Sequence, residues 1–122
     1  MKSNDTEPAT TSTSLHWTVV CPYLRLEPDR GVAALVGGEQ VALFRTFEGN
    51  LHAIGNVDPF SGAAVLSRGI VGSRGDRAVV ASPMHKQAFD LATGQCVDEP
   101  GVHVRVYPVR VNEGMVEIGD PT

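Results

Sequence analysis

Lysine is nearly absent. The 122-residue chain has two lysines and eight arginines scattered singly, against 14 acidic side chains, for a formal net charge of −4. Without a cluster of positive charge it lacks a stripe for the phosphates of nucleic acid and a polybasic patch for an anionic membrane. Long apolar runs are missing too: none approaches the about 20 residues that a membrane-spanning helix requires. The N-terminus also lacks the charged start and apolar stretch of a secretory signal, so the expected location is the cytoplasm. Cysteine is limited to Cys21 and Cys96, far apart and in no C-x-x-C spacing. That argues against a disulfide framework and leaves both as expected small buried hydrophobes. The length rules out a second sizeable core, so a single domain is expected.

What is abundant is valine in short runs, broken by 13 glycines and 8 prolines. Branched aliphatics suit a pleated, half-buried surface, and Gly and Pro end each run in a turn, so the expected fold is all-β. Residues 1–14, MKSNDTEPATTSTS, are rich in Ser and Thr. They offer too little apolar surface to offset the entropy of ordering, and are expected to form a disordered tail before a folded domain over residues 15–120. HWTVVCP reads as a first strand and PYLRLEPDRG as a turn-rich connector with short helical character. GVAALV, a Gly37-Gly38 turn, QVALFRTF, the Glu48-Gly49-Asn50 turn and LHAIG read as successive strands, the last two forming a hairpin. RAVVASP, KQAFDL with QCV as a further short hairpin, VHVRVYPVRV and MVEIG complete nine to ten strands, the pattern of an antiparallel sandwich or small barrel. The exception is NVDPFSGAAVLSRG, a long loop, and long loops in compact domains usually carry function.

Two segments carry a family likeness. Asp58-Pro59-Phe60-Ser61-Gly62-Ala63 with Leu66-Ser67-Arg68-Gly69 falls in register with the Rieske pattern Cys-x-His-x-Gly-Ala and Leu-Ser-x-Gly. Ser82-Pro83-Met84-His85 with Phe89-Asp90-Leu91-Ala92-Thr93-Gly94 matches Cys-Pro-x-His and Phe-Asp-x-x-Thr-Gly. The chain therefore resembles a Rieske-like domain, an antiparallel β-sandwich or small barrel with two loop-bearing hairpins. A Rieske centre takes two thiolates on one iron and two imidazoles on the other. The four corresponding positions here are Asp58, Phe60, Ser82 and His85, of which only His85 is a proper ligand, so no [2Fe–2S] cluster is expected and no metal is assigned. Gly62, Gly69 and Gly94 are expected at positive φ, with Pro59 and Pro83 stiffening the loop tips.

Asp58-Pro59-Phe60 and His85-Lys86-Gln87-Ala88-Phe89 narrow the likeness. Ordinary Rieske proteins show Cys-Pro-His and His-Gly at these places. The strings resemble the small subunit of assimilatory NAD(P)H-dependent nitrite reductase, a family of cluster-less Rieske-like domains. The resemblance implies a large-subunit partner carrying FAD, a [4Fe–4S] cluster and sirohaem, which reduces nitrite to ammonium, with no catalytic residue in this chain. Pro59, Phe60, Arg68, Pro83, Met84, His85 and Lys86 then form the expected partner-binding surface, an apolar tip edged by cationic groups. Phe60 can equally fold inward and fill the place of the cluster. A different class of function is an electron-transfer ferredoxin with an unorthodox cluster held by His85, Cys96, Asp58 and Cys21. Trp17 is expected in the core, and His52 and His103 at partly exposed strand positions.

Overall fold

The computed structural model describes residues 15–121, so the expected tail over 1–14 lies outside the described residues. Among the described residues there are ten strands: β1 (Leu15–Pro22), β2 (Arg30–Val36), β3 (Glu39–Arg45), β4 (Leu51–Gly55), β5 (Ile70–Arg74), β6 (Arg77–Ala81), β7 (Ala88–Asp90), β8 (Val106–Tyr107), β9 (Val109–Asn112) and β10 (Met115–Pro121). They form three antiparallel sheets, in the orders β1-β10-β9, β2-β3-β4-β8 and β5-β6-β7. Single 3-10 turns lie at Tyr23–Arg25, inside the connector expected to show helical character, and at Leu66–Arg68. Among the described residues no helix is long and apolar enough to cross a membrane.

The four-stranded sheet is the middle layer, and β3 shows why. Val41 and Leu43 enter one core with Ala53, Tyr107, Val116 and Ile118, while Ala42 and Phe44 enter the other with Ile54, Val80, Phe89 and Leu91. Successive side chains of a strand point to opposite faces. A strand covered on both faces therefore reads as the unbroken apolar run VALF rather than as an alternation. Each fully buried Phe or Leu contributes about 1.5–3 kcal/mol by leaving water. The all-β expectation holds, refined from two layers to three.

Pro108 connects the layers. β8 ends before it in the middle sheet and β9 begins after it in the β1-β10-β9 sheet. Proline has no N–H to give a ladder, so the chain changes sheets where a ladder bond is missing anyway. Its carbonyl is used, accepting from Gly119 N at 2.9 Å.

Several expectations change. QCV meets β7 as the expected short hairpin, but only through the isolated antiparallel bridge Phe89↔Cys96, with Asp90 N donating to Gln95 O at 2.8 Å and Val97 N to Ala88 O at 2.9 Å, so no named strand forms there. β5, IVGSR, was not evident: four of its five residues are exposed, so no apolar alternation marks it. Trp17 belongs to neither core. It is half-buried on β1, with the Arg110 guanidinium 4.0 Å from its ring centroid. His52 is half-buried on β4, whereas His103 is exposed and outside the named strands.

Candidate contact site at the paired loop tips

The long loop after β4 and the β6–β7 loop meet at one end of the molecule. Asn56 organises the first. Its side chain is 1% exposed, its Oδ1 accepts from Ser67 N at 2.7 Å, and its backbone oxygen accepts from Leu66 N at 3.0 Å. The loop is thus pinned across eleven residues by one amide, a role that nothing in the local pattern signals. At the tip, Asp58 Oδ1 accepts from Phe60 N at 2.9 Å and the Asp58 carbonyl from Gly62 N at 2.7 Å. Asp-Pro-Phe-Ser-Gly is therefore a closed turn, with Gly62 at φ +78° where a Cβ would be strained.

The second loop closes in the same way. Ser82 N donates to Gln87 O and Lys86 N to Ser82 O, both at 2.9 Å. Lys86 sits at φ +66°, in the left-handed region. Glycine occupies this place in ordinary Rieske loops, and its freedom there explains the pattern. Gly69 corrects an expectation: its φ is −75°, and glycine is required because a Cβ would overlap the Ala81 carbonyl. That close approach draws the end of the first loop against the strand that leads into Ser82.

The two loops are joined by a buried clasp. Ser82 Oγ donates to Asp58 Oδ2 at 2.5 Å, and the two residues are 1% and 0% exposed. Ser82 Oγ also accepts from Met84 N at 3.2 Å. With Phe60 N on the other carboxyl oxygen, each polar atom of the clasp has a partner, as burial demands. These are the positions of the two thiolates in the Rieske pattern, so a hydroxyl-to-carboxyl bond now spans the loops.

The two imidazole positions behave differently. Phe60 leans onto Phe89, with ring centroids 6.3 Å apart at 49°, and keeps 36% of its surface exposed. Both orientations considered for it are thus partly realised. His85 is exposed. Pro59, Pro83, Lys86 and Arg68 are exposed as well and Met84 is 53% exposed, and the clasp brings the loops that carry Pro59, Phe60, Pro83 and Met84 to one end. It adds Val57 and Ile70, exposed apolar side chains on the loop and at the first residue of β5. Sequence reasoning missed both, since single apolar residues beside a turn carry no exposure signal.

The residues present do not fit a [2Fe–2S] cluster. Both carboxyl oxygens of Asp58 are engaged by neighbours, Phe60 has no lone pair, and a serine hydroxyl is a hard donor where iron–sulfur chemistry uses thiolates. The substitute set fails as well. Cys96 is buried in the core between the sheets and Cys21 lies on β1, packed against the other core. Among the described residues no three His, Cys, Asp or Glu side chains gather into a metal site.

Comparison with known proteins matches residues 16–119 to the Rieske-like [2Fe-2S] domain family. The nitrite reductase (NADH) small subunit of Salmonella typhimurium is 42% identical over 103 residues, covering 84% of this chain and 95% of that protein. The crystal structure of a protein named as the NADH-dependent nitrite reductase small subunit of Mycobacterium tuberculosis superposes with a TM-score of 0.87. It is 56% identical, covering 89% of this chain and 98% of that one. A stretch amounting to 11% of the nitrite reductase [NAD(P)H] large subunit of Klebsiella oxytoca is 38% identical to this chain over 104 residues, covering 85% of it.

Proposed function

Because the chain belongs to the nitrite reductase small subunits, within the Rieske-like [2Fe-2S] domain family, we propose that it is the small, non-catalytic subunit of an NAD(P)H-dependent nitrite reductase. It acts in the cytoplasm by binding a large subunit that carries FAD, a [4Fe–4S] cluster and sirohaem and reduces nitrite to ammonium. The observation that carries this reading is the Asp58–Ser82 clasp. Where a Rieske electron carrier places thiolates, this chain places a closed, buried hydrogen bond, so its loops present a shape rather than a redox centre. The Klebsiella large subunit supports physical association, since a homologous stretch is part of that polypeptide. A ferredoxin role is not favoured, because its required ligands lie in separate parts of the fold.

The contact surface is the tip made by Pro59, Phe60, Pro83 and Met84, edged by Arg68, His85 and Lys86. Apolar side chains grouped on a backbone already closed by hydrogen bonds lose little entropy on docking, and that favours affinity. Co-expression with the large subunit tests the function. The expected result is co-purification and a rise in NAD(P)H-dependent nitrite reduction when this chain is added. A large subunit that is equally active and never associates with it would refute the reading.

A further inference from the structure

At the ends of β4 and β6 opposite the tip loops, the turn after β3 and the turn after β5 face each other across an open groove of about 870 Å³. Its exposed side chains include Phe47, Asp29, Glu48 and Asp76, together with Asn50, Ser73 and Arg77, while His52 is half-buried and Asp90 buried. Phe47 is 82% exposed although its backbone is fixed, its N–H donating to Asp29 Oδ1 at 3.0 Å. Thr46 holds the same turn through Gly49 N at 2.9 Å and Asn50 N at 3.1 Å. An ordered turn thus presents a large ring to water.

The other six aromatic side chains are accounted for. Phe44 and Phe89 are in the core and Phe60 packs on Phe89. Tyr23, Tyr107 and Trp17 each lie beneath an arginine, with guanidinium carbons 4.6, 4.6 and 4.0 Å from the ring centroids. Each of those arginines also reaches an oxygen: Arg45 to Leu26 O, Arg105 to Asp120 and Arg110 to Glu117. A ring face beside an oxygen acceptor is therefore an arginine site three times over in this molecule. Phe47 shares its groove with Asp29, Glu48 and Asp76, none of which is ion-paired among the described residues. The one arginine in the groove, Arg77, is engaged by Asp90 at 3.4 Å.

We propose that this groove is a second contact with the partner subunit and receives an arginine-bearing segment, its guanidinium over Phe47 and within reach of the carboxylates. The partner's identity rests on the function proposed above; the chemistry of the occupant rests on the groove alone. The negative rim steers such a segment towards the ring, and the isotopically labelled chain tests this directly. Titration with the peptide acetyl-Gly-Arg-Gly-Arg-amide is expected to shift the amide resonances of residues 47–50 and 72–78. The Gln-for-Arg peptide is expected to leave them in place. Phe47→Ala, or raising salt from about 0.05 M to about 0.3 M, is expected to weaken the effect at least about three-fold. Equal shifts from both peptides, or none from the arginine peptide, overturn the proposal whether or not the subunit assignment holds. Affinity for the large subunit is then compared for Phe47→Ala/Asp76→Asn and for Met84→Asp. A loss of about ten-fold in the groove variant supports a second contact, and unchanged affinity overturns it, independently of the tip variant. If the native chain does not bind the large subunit, the subunit assignment fails and the identity of the partner with it, while the peptide titration still decides the chemistry of the groove.

Discussion

Replacing Ser82 with alanine removes one oxygen from the most enclosed polar contact between the loops. Ser82 Oγ and Asp58 Oδ2 are 2.5 Å apart, in the range of strong hydroxyl-to-carboxyl bonds, and the residues are 1% and 0% exposed. Water cannot take the place of the lost donor without opening the loops. The variant therefore pays the full desolvation cost of an unpaired carboxyl oxygen, and Met84 N loses its acceptor. The expected loss is about 2–4 kcal/mol, well above the about 1 kcal/mol of an ordinary hydrogen bond. In a domain of this size it lowers the thermal midpoint by roughly 3–5 °C for each kcal/mol. Urea unfolding of the native chain, Ser82→Ala, Asp58→Ala and the double variant isolates the pair. The double variant is expected to be less destabilised than the sum of the singles by about 1–3 kcal/mol, because each single change strands a partner that the double change removes. Additive losses, or a Ser82→Ala cost below about 0.5 kcal/mol, would show that the two loops are held together by other contacts and that the clasp is incidental.

Three further outcomes are expected. Met84→Asp should weaken association with the large subunit about thirty-fold, equivalent to about 2 kcal/mol, since a charge at a docked apolar tip is left unpaired, while the urea midpoint of the isolated chain stays unchanged because Met84 is already exposed. Lys86→Gly should stabilise the chain by about 0.5–1 kcal/mol, the relief of φ +66° outweighing the added freedom of the unfolded chain, and the same urea unfolding measures it. The imidazole of His52 is held below its ordinary value by burial, with the pull of Asp90 opposing in part. As pH falls through about 6.5 the unfolded chain takes up this proton first, so stability declines from there until the folded form is protonated too. His52→Gln should flatten that part of a stability-against-pH curve, and an unchanged slope would count against the burial of this side chain.

The clasp also explains what joins a Rieske-like pair of loops whose residues do not fit the cluster. In the metal-bound pattern the ligand bonds tie the two loops together. Here the same crossing is made by one hydrogen bond, the Phe60–Phe89 contact and the close approach at Gly69. The turn-forming residues hold each loop by itself: Asp58 caps its own turn, and Asp90 Oδ1 accepts from Ala92 N at 2.8 Å in the Phe-Asp-x-x-Thr-Gly turn. Those turns are why the family pattern stays readable after its ligands have been replaced.

What the amino-acid sequence determined by itself is the set of features with short-range causes. Gly, Pro, Asn and Asp mark the turns because positive φ, a missing N–H or a side-chain cap acts within a few residues. The valine-rich runs between them specify strands, and DPFSGA with SPMH places the two loops and identifies the family. β5 escaped that reading because an exposed edge strand has no apolar rhythm, and QCV pairs with β7 through a single bridge rather than a full strand. The tertiary structure alone decided that Asp58 meets Ser82, which stands 24 residues away. It likewise decided that Phe60 lies half on Phe89, that Trp17 lies beneath Arg110, and that Phe47 stands open among carboxylates. Each of these joins residues from different elements, and such a pairing depends on how the sheets pack and in what register, which a linear pattern with period two does not specify.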